Sequence, residues 1–258
     1  MERQYVTLRD GRMAYLHQGQ GFPILLLHSL GVSSWAWEGI MEPLSQQFSV
    51  YALDMLGHGD SDKPQRDFTI ADFGATVCEF MDAQGLQRVH LVGNSVGATL
   101  SVEVATTQPH RVDKVVLVGC PAWTRQEAEE RLQDTRAQYD AQGMPLPRTL
   151  ENLQGTFDQP TPKLQRKVNE LRSIAGPWVL KTMQAISRHD LMQRLPALKA
   201  PTLVVYGEVD YVRSKEDTLM RALPGARKVI LFGAGHLPQV QKPQEFAQAV
   251  VMFLADSD

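Results

Sequence analysis

The chain has 258 residues, 43% of them hydrophobic, which is enough to bury a large core within a single α/β domain. Its formal net charge is −3 with Lys and Arg scattered along it. That excludes the basic stripe a nucleic acid or anionic membrane requires and leaves small molecules as the expected partners. No run of about 18 apolar residues could span a bilayer, and the opening MERQYVTLRDGRMAYLHQGQG holds no signal-peptide core, so a cytoplasmic protein is expected, as a monomer or small homo-oligomer.

In chain order, QYVTLRDGRMAYLHQ reads as two short alternating segments about a turn at Asp10-Gly11, a β-hairpin at the leading edge of a sheet. Apolar runs follow at PILLLH (23–28), FSVYALD (48–54), VHLVGN (89–94), KVVLVG (114–119), PTLVVYG (201–207) and KVILFG (228–233). Runs without alternation are strands covered on both faces, as in a parallel sheet. Between them, residues 70–84 place Ile70, Phe73, Val77, Phe80 and Met81 on one helical stripe, and residues 243–254 do the same with Phe246, Val250 and Phe253. Strand and helix in alternation predict an α/β fold: a mostly parallel central sheet with helices on both faces.

From 121 to 196 the strand signal stops. RQEAEERLQDTRAQYDAQ (125–142) reads as a charged helix with a solvated face. A loop holding Pro145, Pro147, Pro160 and Pro162 follows, and KLQRKVNELRSIA (163–175) carries Leu164, Val168, Leu171 and Ile174 at helical spacing. The Gly176-Pro177 break restarts a helix at Trp178. We expect a helical cap over 121–196, inserted after the sixth strand, with residues 1–120 and 197–258 forming the core. Trp123 and Trp178 flank or lie in this cap and are candidate pocket residues, although packing is the more ordinary use of such an aromatic. Cys78 and Cys120 are expected to be free thiols, and no Cys/His cluster has metal-ligand spacing, so neither metal nor cofactor is expected.

The chemistry centres on GNSVG (93–97), where Ser95 has a glycine two positions to either side. A strand running straight into a helix strains the residue at the apex, and Gly93 and Gly97 relieve the crowding around it. The pattern alone is weak, because it arises by chance in roughly one chain in ten of this length. Its position on a strand-to-helix junction raises its value, and so do two further groups. Asp210 follows the strand at 201–207 and His236 follows the strand at 228–233, so a parallel sheet brings both to the edge where Ser95 emerges. Asp54, Asp60, Asp62 and Glu208 are the rival acids. After the first apolar run, HSLG (28–31) turns the backbone beside Ser95, so the N–H groups of Leu30 and Val96 are the candidate oxyanion donors. His28 and His58 are expected to brace their own loops, and His17, His90, His110 and His189 to pack or face solvent.

These stretches, together with DMLGHGDSDKP (54–64), GEVD (207–210) and GAGH (233–236), resemble the α/β-hydrolase superfamily over nearly the whole chain. Within it the chain is similar to the capped, single-domain, esterase-like branch. The resemblance implies a serine hydrolase that cleaves carboxylic esters of small, largely apolar substrates through an acyl-enzyme, with Ser95, Asp210 and His236 as its triad. Asn94 is similar to the residue that carbon–carbon bond hydrolases place before the nucleophile, whereas Leu237 stands where those enzymes carry Trp. A carbon–carbon bond hydrolase or lactonase remains the alternative, as does a slow-turnover ligand sensor resembling the plant hormone receptors of this fold. Serine in place of aspartate at the apex argues against haloalkane dehalogenase and epoxide hydrolase activities.

Overall fold

The computed structural model describes residues 2–256. Its strands are β1 (Arg3–Leu8), β2 (Gly11–Gln18), β3 (Phe22–Leu27), β4 (Phe48–Leu53), β5 (Val89–Asn94), β6 (Val112–Val118), β7 (Thr202–Gly207) and β8 (Arg227–Leu231). They form one sheet in the order β1-β2-β4-β3-β5-β6-β7-β8. The β1/β2 and β2/β4 pairs are antiparallel, and every later pair is parallel. The leading hairpin turns through Arg9 and Asp10, one residue earlier than expected, because Leu8 pairs with Gly11. Gly11, at φ +144°, already belongs to β2, and a Cβ there would stand 3.0 Å from the Asp62 Cβ.

The helices are α1 (Glu38–Ser45), α2 (Ile70–Ala83), α3 (Val96–Thr107), α4 (Arg125–Arg136), α5 (Pro162–Ala175), α6 (Pro177–Ser187), α7 (Leu191–Arg194), α8 (Glu216–Ala222), α9 (Pro238–Gln241) and α10 (Pro243–Ala255). Apolar strands take both faces because both are roofed. Leu25 and Leu27 of β3 point into the cluster that holds Phe73 and Phe80 of α2, whereas Ile24 and Leu26 point into the cluster that holds Trp37 and Phe246. Burying each such side chain contributes about 1.5–3 kcal/mol. Helix α2 begins where the Thr69 side chain accepts from the Asp72 N–H and the Asp72 carboxylate accepts from the Thr69 N–H. No helix of the described residues is long and apolar enough to cross a membrane.

The helical cap follows β6, the sixth strand, and comprises α4 to α7. Helix α4 stops at Arg136, short of the expected 142. The Asp140 carboxylate accepts from the N–H groups of Gln142 and Met144, and Gly143 turns at φ +76°, so the chain folds back and pairs Tyr139 with Pro145. Helix α5 ends at Gly176, whose φ of +55° only glycine adopts freely, and Pro177 starts α6 at its first turn. Cys78 and Cys120 are both free thiols.

His90, buried in β5 between the rings of Phe22 and Phe48, is held at about 4 by burial, against the pull of nearby Asp113. A neutral imidazole in the fold and an ordinary one in the unfolded chain, near 6.5, make protonation favour unfolding. Stability should therefore be full above pH 6.5 and fall by on the order of 2–3 kcal/mol as pH drops from 6.5 towards 4. Thermal melts of His90→Phe across that window are expected to show a shallower decline in Tm than the wild type. Parallel curves would contradict the assignment.

Candidate active site

Ser95 lies between β5 and α3, and it is the one non-glycine residue with positive φ among the described residues, at φ 58° and ψ −112°. An L-residue in that conformation costs on the order of 1–3 kcal/mol and persists only where the surroundings over-determine it. Here they do. The Ser95 N–H donates to Val118 O at 2.8 Å, and Ser95 O accepts from the Thr99 N–H at 3.1 Å. A Cβ on Gly93 would lie 2.1 Å from Gly97 O, and one on Gly97 would lie 2.1 Å from Leu27 O. The two glycines therefore let β3, β5 and α3 approach closer than any side chain permits, which lifts the serine hydroxyl to the sheet's carboxyl edge.

Asp210 and His236 sit just beyond β7 and β8, and both are buried. His236 Nδ1 and Asp210 Oδ1 are 2.9 Å apart, which makes Nδ1 the protonated, donating nitrogen, and the same oxygen accepts from the Val212 N–H at 2.9 Å. His236 Nε2 is buried without a protein partner. Ser95 and His236 line the same cavity, about 810 Å³ including its open mouth, but no hydrogen bond joins Ser95 Oγ to Nε2. The expected Asp–His contact is thus formed, whereas the expected Ser–His contact is open. Such contacts are often long in unliganded sites and tighten around substrate.

The rival acid has another task. Asp54, fully buried, accepts from Arg3 Nη1 at 2.8 Å, from the Ser34 N–H at 2.7 Å and from the Asp60 N–H at 2.9 Å, so its carboxylate pins the N-terminal strand to two loops. His28 donates from Nδ1 to Ser29 O at 2.8 Å and accepts the Met55 N–H on Nε2 at 3.0 Å. Burial keeps this ring below the usual imidazole range, consistent with its neutral, accepting nitrogen. The loop that carries Leu30 is thereby braced, and neither the Leu30 nor the Val96 N–H donates to a protein acceptor among the described residues.

Of the two candidate pocket tryptophans, Trp123 lines the cavity, together with Leu30 and Leu237. Trp178 does not: it is packed edge-on against Phe68 and Phe73, with Gly57 so close that a Cβ there would fall 2.5 Å from its ring. Its role is to seat the cap on the core. Leu237, just after His236, packs with Leu153, Phe157 and Val168 of the cap.

Some contributors had only a faint sequence signal. Asn94 donates from Nδ2 to Val118 O and to His236 O, both at 3.1 Å, and its Oδ1 accepts from Gln239 Nε2 at 3.2 Å. It ties the serine turn to the histidine loop. Gly119, at φ +51°, forms the floor beneath the His–Asp pair, because a Cβ there would stand 2.7 Å from His236 Nδ1 and 2.9 Å from Asp210 Oδ2. A glycine closing a buried strand was its only advertisement. Arg148 and Arg172, inside the cap's helical and loop patterns, also line the cavity.

A hydroxyl on a strained turn, an imidazole fixed by a carboxylate and two free amides, set along one edge of a mostly parallel sheet, form the framework of an α/β hydrolase. A sequence profile described as alpha/beta hydrolase fold matches residues 23–243, and the chain belongs to that family. A putative carbamate hydrolase of Caulobacter is 30% identical, over 95% of this chain and 96% of that protein. A 2-hydroxy-6-oxo-2,4-heptadienoate hydrolase of Pseudomonas putida is 29% identical, over 98% of this chain and 96% of its own length. Among solved structures, a hydrolase of Pseudomonas aeruginosa superposes with a TM-score of 0.80 at 26% identity, covering 99% of both chains.

Gly119→Ala should push the imidazole and carboxylate off their positions. Because a displacement of about 1 Å costs on the order of 100-fold, kcat should fall by about that factor while the far-ultraviolet circular dichroism stays native. Wild-type kcat in a folded variant would show that the floor is not needed.

Proposed function

We propose that the protein is a serine hydrolase that cleaves a carboxylic ester through an acyl-enzyme. Ser95 Oγ attacks the carbonyl carbon while His236 Nε2 takes the hydroxyl proton, and the carbonyl π pair moves to the oxygen, which the Leu30 and Val96 N–H groups receive. Collapse of this intermediate expels the alkoxide, which leaves as the alcohol with the proton from His236. Water then loses a proton to Nε2 and attacks the acyl carbon. Ser95 departs with that proton, and the acid is released. Asp210 holds Nδ1–H in place throughout and steadies the imidazolium.

The observation that carries this reading is the state of His236: one nitrogen is committed to Asp210, and the other is buried, unpartnered and in the wall that Ser95 shares. A buried nitrogen without a partner costs stability, and a proton to be accepted there is a reason for the fold to bear that cost. The open Ser–His contact closes, in this reading, when substrate fills the cavity beneath the cap.

Ser95→Ala should abolish both turnover of a 4-nitrophenyl ester and covalent labelling by a fluorophosphonate, at unchanged Tm. Near wild-type turnover in that variant would end the proposal. Asp210→Asn should lower kcat by about four decades, and a loss under tenfold would point to another acid.

A second reading draws on one relative. The Pseudomonas putida protein is named for a keto acid that has no ester or amide bond, so its hydrolysis breaks a carbon–carbon bond. The same hydroxyl, imidazole and amides serve a ketone carbonyl equally well. Rates on a vinylogous 1,5-diketone and on a simple ester, measured side by side, separate the two: a diketone rate exceeding the ester rate overturns the ester assignment. Hundreds of turnovers per site exclude the slow sensor.

A further inference from the structure

The cap places two guanidinium groups in the wall of the Ser95 cavity and gives neither a counter-charge. Arg172 of α5 is 5% exposed, and its Nε and Nη2 are buried without an acceptor. Arg148 lies in the loop before α5, and its Nε is likewise buried and unpartnered, while its Nη2 reaches only the neutral Gln138 Oε1 at 3.4 Å. The hydroxyl of Tyr139, beside them, is a third buried group without a partner. The charged or titratable neighbours acting on the two arginines are each other, Arg131, Tyr139 and Tyr211, with no carboxylate among them. Burial pushes the Arg172 guanidinium down to about 10, and Arg148 presses the same way, which still leaves it charged at neutral pH.

This pair is held in place rather than left floppy. The Arg148 N–H donates to Asn169 Oδ1 at 2.8 Å, and Arg148 O accepts from Asn169 Nδ2 at 3.0 Å and Gln165 Nε2 at 2.9 Å. Asn169 and Arg172 sit three residues apart on α5, so one helix both anchors the Arg148 backbone and supplies the second guanidinium. The Arg172 stem runs beside the loop that carries Leu30: a Cβ on Gly31 would stand 3.2 Å from its Cγ. A buried charge without a partner is strongly destabilising. Two such charges in the wall of one cavity describe a receptor for an anion, because planar guanidinium forks match the two oxygens of a carboxylate.

We propose that the substrate is itself an acid: its carboxylate is bound by Arg148 and Arg172, while the bond to be cleaved lies over Ser95. The notion of largely apolar substrates then applies to the part of the molecule between the two ends. The location of this subsite rests on Ser95 being the reacting group, but its capacity to bind an anion does not.

Three measurements test it. Glutarate titrated calorimetrically onto the Ser95→Ala protein is expected to bind, and to bind at least about tenfold more weakly when Arg172→Gln is added, since a charge-assisted pair is lost. Absence of binding at 50 mM glutarate, or equal binding in both proteins, would overturn the subsite regardless of any turnover. In the active enzyme, kcat/KM for mono(4-nitrophenyl) adipate should exceed that for 4-nitrophenyl hexanoate by about tenfold or more, and the ratio should drop at least tenfold in Arg172→Gln and in Arg148→Gln. A preference for hexanoate that neither substitution changes would also sink the proposal. Failure to turn over either ester while glutarate still binds would count against the ester reading alone. Finally, Arg172→Met keeps the aliphatic contact with Gly31 and removes the unpaired charge, so its Tm should rise; a fall would identify the guanidinium as structural and overturn the assignment.

Discussion

The candidate site depends on one close approach, that of the Gly97 backbone to the carbonyl of Leu27. With no side chain at Gly93 or Gly97, the ends of β3 and β5 and the start of α3 occupy a volume that any Cβ would invade. Ser95 takes the residual strain as its positive φ, and the hydrogen bond from its N–H to Val118 on the next strand locks it there. The same approach draws the start of the loop after β3 against the serine turn, since a Cβ on Gly97 would also stand 2.9 Å from His28 O.

The histidine is located by a different kind of constraint, a lattice of backbone and side-chain amides. Asn94 and Gln239 bind the loop after β8 to the serine turn, and Gln241 Oε1 accepts from the Gly235 N–H at 2.8 Å. From the cap side, the His236 N–H donates to Gly155 O at 2.9 Å and the Leu237 N–H to Thr156 O at 3.3 Å. The imidazole thus belongs mechanically to both layers, and Tyr211 packs on its ring at 4.4 Å between centroids. Neutral amide bonds suit this purpose. They fix direction without adding a charge beside the ring.

Much of this was legible in the sequence for a simple reason. A strand roofed on both faces is written as an unbroken apolar run, and a residue that follows such a run must emerge at the carboxyl edge, so Ser95, Asp210 and His236 could be read as neighbours. Trp178 illustrates the limit: helical spacing assigns it an inward face but does not say whether Phe68, Phe73 or a cavity lies opposite. Gly119 was illegible because its importance lies in what stands above it, and the contact arises between β6 and loops about 90 and 117 residues later. The end of α4 was misjudged because Asp140 captures two amides that a longer helix would have used. Arg172 did leave a trace, sharing the face of Val168 and Ala175, where an apolar residue belongs. A charge on a core face is worth more attention than one more aliphatic residue in the stripe.

The treatment of buried charge separates the two layers of the molecule. Three buried charges of the core have partners: Asp54 has Arg3 at 2.8 Å, Glu103 lies 3.5 Å from Arg194, and the Lys114 ammonium is capped by carbonyl oxygens of Phe253 and Asp256. In the cap wall, Arg148 and Arg172 have no acid among the titratable groups acting on them, and the phenol that acts on both, Tyr139, is pushed up to about 12 by burial. Chains that solve the same problem three times elsewhere do not leave it unsolved here for want of an aspartate. The imbalance sits in the wall of the cavity that Ser95 lines, where a protein carboxylate would compete with an anionic ligand for the same donors. Leaving the positive charge open in the empty state makes the fold less stable than it could be, and that deficit is recovered when an anion enters.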